Sequence, residues 1–450
     1  MQDREPKSGN SQQPKVYADK LTVKFDEALK SHQAGKLQKA KKLYQKVLKI
    51  DPGCNDALHM MGLIAHQSGD NDTAIRLYRK AIANNRNSPE LCANFGNALL
   101  ATGKTEEAIT AFGEAIVINP NFALAHNNLG NALSIGGKKD EAMASLKKAI
   151  ALVPNYAQAY FNLGNLLYET GKLDEAISSF RQAIAIEPVF TKAMNNLAKL
   201  LMDKGDNAEA ASLFERVLEL DKNNGMAQHL LAALQGRTTT TAPESYVAGL
   251  FNGAAGSFDR HLVEVLEYKV PQYLKTAVST ALDEDNNSLD FLDLGCGTGL
   301  CGPLFRPQAK KLVGVDLAPG MLEQAAELGV YDRLITGDIS SVLRNSKSAY
   351  DVVLAADVFI YVGELEQVFE AVERALKPGG LFAFSVESGN DGDGYSLLAT
   401  GRYAHSVSYI KTVAAATGLR EVNMDAKVLR IDRDIPINGH IFVLKREWAG

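Results

Sequence analysis

Small residues recur along the first half of the chain at a fixed, long interval. Ala40, Ala74, Ala108, Ala142, Ala176 and Ala210 stand 34 residues apart. Gly62, Gly96, Gly130 and Gly164 each lie twelve residues before one of those alanines, and Ala81, Ala115, Ala149 and Ala183 lie seven after. Pro120, Pro154 and Pro188 close three of these units and Pro52 closes the first. Two helices cross closely only where their side chains are small, so each unit is predicted to be an antiparallel helix pair. The next unit then buries what one pair leaves exposed. Six units are predicted, at 21–54, 55–88, 89–122, 123–156, 157–190 and 191–224, with a closing helix at 226–234. Ala28 and Ala198 replace the glycine in the terminal units, and Val47 and Val217 replace the third small residue. Atypical end units are expected of caps. Residues 1–20 are polar and predicted to be disordered, and the array as a whole spans 21–235.

A period of 34 with small residues at these offsets resembles the tetratricopeptide (TPR) repeat, which implies an α-solenoid wound as a superhelix with a concave inner face. The middle units carry Asn-x-Gly-Asn or its equivalent: Asn94 with Asn97, Asn128 with Asn131, and Asn162 with Asn165, while Asn196 continues the first series. A spacing of three puts both amides on one helical face. Asn94, Asn128, Asn162 and Asn196 resemble the asparagine ladder of such arrays, where an amide pairs with a peptide backbone, so a protein or peptide partner is expected in the groove. The alternative is that these amides bond only to neighbouring helices.

Beyond the array, residues 236–243 read Gly-Arg-Thr-Thr-Thr-Thr-Ala-Pro, a poor continuation for any helix and the expected linker, 236–244. From there the periodicity changes. Short β-rich apolar runs at 289–294, 311–316, 334–336, 351–355 and 381–386 alternate with helical stretches, which predicts a parallel sheet with helices on both faces. The last two runs, 421–431 and 440–445, have no helix between them and should pair as an antiparallel hairpin at one edge. The prediction is therefore an α-solenoid followed, at 245–450, by an α/β Rossmann-like domain with a mostly parallel seven-stranded sheet.

The first strand runs into Asp293-Leu-Gly295-Cys-Gly297-Thr-Gly299-Leu-Cys-Gly302. The chain must turn sharply there and approach a ligand closely, which glycine permits. Gly297, Gly299 and Gly302 alone also read as a dinucleotide fingerprint. Three further features separate the readings: Asp293 two residues before the first glycine, Asp316 ending the second strand with Met321 after it, and Asp338-Ile339 after the third. With Tyr350–Asp357 and Leu376–Phe382, these closely resemble the class I S-adenosylmethionine (SAM)-dependent methyltransferases over about residues 245–446. That resemblance implies SAM as cofactor, held by Asp293, Gly295, Gly297, Gly299, Asp316, Met321, Asp338, Ile339 and Asp357. Asp316 would take the ribose hydroxyls, Met321 would lie beneath the adenine, Asp338 would meet its amino group, and Asp293 would lie near the methionine portion. The stretch from Phe251 to Asp259 resembles the N-terminal lid of methyltransferases acting on small molecules or carrier-bound acyl groups, with Phe258 where tyrosine is usual.

Catalysis is less legible. Methyl transfer is an in-line displacement at a sulfonium with a neutral leaving group, so alignment and exclusion of water matter most. A base is needed only if the nucleophile must lose a proton. Tyr361, Arg402 and His405 lie after the fourth and fifth strands, where such sheets bind ligands, and are the candidates. Arg402 would hold a carboxylate or phosphate; His405 is either a base or a helix contact, since Ser406 looks like a cap. The rival function is an interaction scaffold whose second domain binds SAM or another nucleotide without catalysis.

Charge and composition narrow the field. Residues 1–240 carry a net +4 and 241–450 a net −9, within a total of −5 over 450 residues. An acidic second half argues against a nucleic-acid backbone as ligand. Nine lysines crowd between Lys20 and Lys49, and Lys39, Lys42, Lys46 and Lys49 fall on one helical face, expected to be solvated. No apolar run reaches the ~18 residues of a membrane span. The first sixteen residues lack the apolar stretch of a secretory signal. The four cysteines include no Cys-x-x-Cys, so no metal site and a reducing, cytoplasmic location are expected.

Overall fold

The computed structural model describes residues 13–447 except 86, 253–258, 260, 283–287, 391, 393 and 433. The chain divides into two compact units, residues 1–200 and 201–450.

The first unit is a run of antiparallel helix pairs. After Gln13–Gln33 and Leu37–Ile50 come Asn55–Gln67 with Asn71–Asn84, Pro89–Leu100 with Thr105–Ile118, Ala123–Ile135 with Lys139–Leu152, and Ala157–Glu169 with Leu173–Ile186. The 34-residue glycines sit where the two helices of a pair touch. A Cβ on Gly62 would lie 2.5 Å from the Tyr78 ring, on Gly96 2.6 Å from Phe112, on Gly130 2.6 Å from Leu146, and on Gly164 2.6 Å from Phe180. In each pair a large residue sixteen positions later fills the space that the glycine leaves, and all four are buried. Helix starts follow the local sequence: Asp70 accepts from the Thr73 N–H, and Ser88, followed by Pro89, accepts from the Leu91 N–H. The first helix begins at Gln13, so residues 13–20 are helical where disorder was expected. No glycine or proline separates Val16 from the first unit, and an adjoining helix propagates through such a stretch at little cost. The rest of the expected disordered tail, 1–12, lies outside the described residues.

The second unit opens with helices Asn207–Leu220 and Gly225–Leu234, then Glu244–Asn252. Its sheet has nine strands among the described residues: β1 (Leu289–Leu294), β2 (Ala309–Asp316), β3 (Arg333–Thr336), β4 (Tyr350–Ala355), β5 (Leu376–Ser388), β6 (Tyr395–Leu397), β7 (Tyr403–His405), β8 (Leu419–Asp432) and β9 (Ile435–Arg446). The order β3-β2-β1-β4-β5 is parallel throughout. β9 pairs antiparallel with both β5 and β8, the expected edge hairpin. The predicted count of seven is exceeded by β6 and β7, three residues each, too short to leave a periodic signal. β7 runs parallel to the last residues of β5.

Central strands are buried on both faces, as parallel sheets require. Leu292, Leu294, Val313, Val315, Phe382 and Phe384 share one core with Phe369, Val372 and Ile410 of helices Glu366–Ala375 and Val407–Ala416. Phe291, Leu312, Val352 and Leu381 face the other way, against Leu274 and Val278 of helix Val270–Ala281. Strand order reverses between β1 and β4, so the loops leaving their carboxyl ends diverge and open a crevice there.

Residues 236–243, expected as a plain linker, are hydrogen-bonded within the second unit. Thr241 forms a bridge with Val362, the Ala242 N–H donates to the Tyr361 carbonyl, and Gly363 and Glu364 N–H both donate to the Thr240 carbonyl.

Candidate functional site

The crevice holds a cavity of about 790 Å³, lined from the carboxyl ends of β1, β2, β3 and β4. Of the predicted cofactor residues, Asp293, Gly295, Gly297, Asp316, Met321, Asp338, Ile339 and Asp357 all line it. Gly299 does not; its Cβ position faces Leu328 and Tyr331, so it serves the packing behind the loop.

The loop after β1 turns through left-handed residues, with φ +60° at Gly295 and +54° at Gly297. A side chain at Gly295 would also strike Val358, 2.7 Å away. Gly297 then aims its N–H at Asp316, whose Oδ2 accepts it at 2.9 Å while Oδ1 accepts the Ala318 N–H at 2.8 Å. Each carboxylate oxygen has a second lone pair, so Asp316 is fixed by backbone and can still accept two hydroxyls. Burial raises its pKa, and those N–H bonds oppose the rise. Asp338 caps the helix Ile339–Arg344, accepting the Ser341 N–H at 2.9 Å.

Asp293 is the outstanding group. It is 1% exposed, and burial pushes its pKa up to about 7 against the opposing effect of the Tyr331 hydroxyl. That hydroxyl donates to Oδ2 at 2.7 Å. Among the described residues Oδ1 has no partner although buried. A buried carboxylate oxygen left unpaired costs free energy unless a donor arrives, and a cationic donor suits it best. With Asp316 and the glycine cradle in the same cavity, the residues present fit SAM: an acceptor for an ammonium, a two-oxygen acceptor for a ribose, and apolar faces at Met321 and Ile339 for a base.

The cavity is lined as well by Tyr361, Arg402 and Arg430, with Tyr268, Phe251 and Ile360 as apolar walls. Arg430 is 4% exposed and ion-paired to both Asp357 and Glu387. Arg402 bonds Asp432 at 2.8 Å and Glu387 at 3.5 Å. Asp357, expected among the cofactor residues, is thus held in this network, with Ser385 donating to its Oδ1 at 3.0 Å. It sits at φ +54°, a backbone conformation that a non-glycine residue adopts only when its surroundings fix it. Burial pushes the Tyr361 hydroxyl up to about 12.

His405 does not reach the cavity. It is fully buried in β7, its Nε2–H donates to the Gly363 carbonyl at 3.0 Å, and burial lowers its pKa to about 4. Its Nδ1 keeps a free lone pair, but the ring is fully buried away from the cavity, so it cannot reach a substrate there and His405 leaves the catalytic set. The neighbouring expectation holds, since the Ser406 hydroxyl accepts the Tyr409 N–H.

Sequence reasoning missed Arg430, Tyr331 and the threonine segment. Arg430 had a signal: it is a lone charge inside Val428-Leu-Arg-Ile431, and a charge within a buried strand needs partners. Tyr331 had none, because it sits in the turn before β3. Phe258 of the lid motif lies outside the described residues; Asp259 of the same motif accepts from the Thr298 hydroxyl.

In the array, the asparagines bond sideways. Asn128 donates to Asn97 at 3.0 Å, Asn196 to Asn165 at 2.7 Å, Asn162 to Asn127 at 2.9 Å, and Asn94 to His59 at 2.8 Å. These bonds use part of each amide's capacity and leave further donors.

Residues 292–384 match the family described as methyltransferase domain, and 26–89, 96–134, 131–171 and 161–225 match tetratricopeptide repeat families. The chain is 29% identical over 196 residues to the malonyl-[acyl-carrier protein] O-methyltransferase of Serratia marcescens, covering 41% of this chain and 74% of that one. It is 34% identical over 148 residues to the enzyme of the same name from Halalkalibacterium halodurans, covering 30% of this chain and 52% of that one. The chain thus spans about three quarters of the first relative and about half of the second. Among solved structures it is similar to Pseudomonas aeruginosa pilF, at 21% identity and a TM-score of 0.43, covering 48% of this chain and 99% of that one.

Proposed function

Because this chain joins an array of tetratricopeptide repeats to a methyltransferase domain, we propose that it transfers a methyl group from S-adenosylmethionine to a carboxylate, borne on an acyl group or on a protein. The observation that carries the cofactor reading is the unpartnered Oδ1 of Asp293, buried in the same cavity as a backbone-fixed Asp316. Bound there, S-adenosylmethionine supplies an activated methyl on a sulfonium with a neutral leaving group. Asp293 holds the ammonium, Asp316 the ribose hydroxyls, and Asp338 the adenine amino group between Met321 and Ile339.

The acceptor end supports a nucleophile that is already ionised. Its deep titratable groups are committed: Asp357 and Glu387 to Arg430, and Tyr361 with its proton retained to about pH 12. A carboxylate needs no base at neutral pH, so Tyr361 and Arg402 position it and exclude water rather than move a proton. The acceptor named for the relatives is of this class.

The array serves protein interaction, and Asn94, Asn128, Asn162 and Asn196 have amide donors left to hold a peptide backbone. We place the enzyme in the cytoplasm, in keeping with four free thiols; among the described residues no helix is long and apolar enough to cross a membrane. Calorimetry with SAM, S-adenosylhomocysteine and NAD, followed by transfer of labelled methyl to malonyl-[acyl-carrier protein], tests this reading. SAM binding at about micromolar affinity, near −8 kcal/mol, is expected. Binding of NAD in place of SAM would overturn it, and SAM binding without transfer to any acceptor would leave the scaffold reading.

A further inference from the structure

The threonine segment is hydrogen-bonded at every step, and its position bears on the reaction. Thr240, Thr241, Ala242 and Pro243 line the cavity together with Tyr361 and Val362. The segment pairs with the loop after β4 as a short strand would. Thr241 bridges Val362 in antiparallel sense, and the Ala242 N–H and the Thr241 hydroxyl both donate to the Tyr361 carbonyl. The Gly363 and Glu364 N–H groups close on the Thr240 carbonyl, each at 2.9 Å.

Both flanks are anchored. Upstream, the Thr239 hydroxyl meets the buried Tyr403 hydroxyl at 2.5 Å, and Thr238 Oγ1 accepts the Leu397 N–H at 3.3 Å. Before that, His229 of helix Gly225–Leu234 is 2% exposed and its Nε2–H donates to the Gly401 carbonyl at 2.8 Å. Downstream, the chain passes so close to the start of that helix that a Cβ on Gly225 would meet Ser245 at 2.4 Å and Pro243 at 3.0 Å. Phe251, in the helix that follows, packs edge-on against the Tyr361 ring at 5.6 Å.

A tether has no use for such bonds. Ordering each residue costs conformational entropy, which bonds along the whole segment offset here. We propose that residues 240–243, anchored by Thr238 and Thr239, are the acceptor-side wall of the catalytic cavity and the element that positions Tyr361 in it, so that they help set which acceptor is taken. This rests on the acceptor end assigned above. Thr239, Thr240 and Ala242 are positioning residues: they act through the 361–364 backbone and not on the cofactor.

The test uses the full chain and three variants. Thr239→Val removes the hydroxyl that meets Tyr403, Thr239→Ser keeps it, and Ala242→Pro removes the N–H given to Tyr361. Hydrogen exchange should show the amides of Ala242, Gly363 and Glu364 protected in the unaltered chain. Thr239→Val and Ala242→Pro should speed exchange at Gly363 and Glu364 at least tenfold, with S-adenosylhomocysteine affinity within twofold of normal and Thr239→Ser close to normal. With malonyl-[acyl-carrier protein] as acceptor, KM should rise severalfold in Thr239→Val and return in Thr239→Ser. Unprotected amides in the unaltered chain, or unchanged exchange in both variants, would overturn the proposal. Accelerated exchange with an unchanged acceptor KM would also overturn it. If the unaltered chain methylates no malonyl-[acyl-carrier protein], the acceptor reading fails by itself, and the exchange data still decide whether the segment is a wall.

Discussion

The two units satisfy their buried polar groups in opposite ways. In the repeats, asparagine amides bond to asparagines or a histidine of neighbouring helices, and the space at each glycine is filled by a large side chain from within the same pair. In the catalytic unit, carboxylates gather around a cavity. Most are tied to backbone N–H groups or guanidinium, and Asp293 keeps one oxygen unpaired. Among the described residues the repeats also leave buried side-chain atoms without a partner, the Tyr44 and Tyr78 hydroxyls, but these residues pack against neighbouring rings, whereas Asp293 lines the cavity. An unpaired buried acceptor on a residue that lines a cavity is open to a ligand that brings a donor.

That contrast can be broken first at Arg430. Arg430→Met would leave the buried Glu387 with only its 3.5 Å contact to Arg402 and Asp357 without its ion pair, and should cost about 3–5 kcal/mol of stability. Denaturant unfolding of the full chain should show the transition of the catalytic unit moved to lower denaturant and that of the repeats unmoved. Next, Asp316→Ala removes an acceptor placed for two hydroxyls and should weaken SAM binding by about 1.5–3 kcal/mol, read by calorimetry. In the array, Gly164→Ala would drive a methyl into the Phe180 ring. Overpacking of this kind costs about 1–3 kcal/mol, reduced by the better helix propensity of alanine, and should appear as a lowered Tm of the repeat transition alone. Smallest is Asn128→Ala, which loses a half-buried neutral bond to Asn97 and should cost about 0.5–1.5 kcal/mol. If it weakens capture of a protein partner more than it lowers stability, the amide also serves the groove.

The same contrast explains what the sequence made legible. The array was readable because one packing rule is repeated: a small residue opposite a large one, written again every 34 positions. The half of the cavity proposed for the cofactor was readable because β1 and β2 deliver Asp293, Gly295, Gly297 and Asp316 from consecutive turns. The acceptor half was not, because its parts come from far apart in the chain. Thr240, Tyr361, Arg402 and Arg430 meet through a bridge to Val362 and the long hairpin of β8 and β9. His405 was misplaced for a related reason: β7 is too short to announce itself, and a histidine in it reads as a loop residue. The helix from Gln13 shows the same limit at a terminus, where polar composition concealed continuity with the first repeat.

The central claim is that Asp293 waits, protonated near neutrality, for a cation. Burial raises its pKa from 3.8 to about 7 in the ligand-free protein, and an ammonium at Oδ1 would bring it down again. Binding must then expel a proton wherever the free protein holds one, which is below about pH 7. Affinity should therefore fall as pH falls. Calorimetry of S-adenosylhomocysteine binding at pH 7.5 and pH 6 measures this directly, in buffers of different ionisation enthalpy. The account predicts binding about fivefold to tenfold weaker at pH 6, with a proton released on binding, and loss of both effects in Asp293→Asn. Equal affinity at the two pH values with no proton released would contradict it.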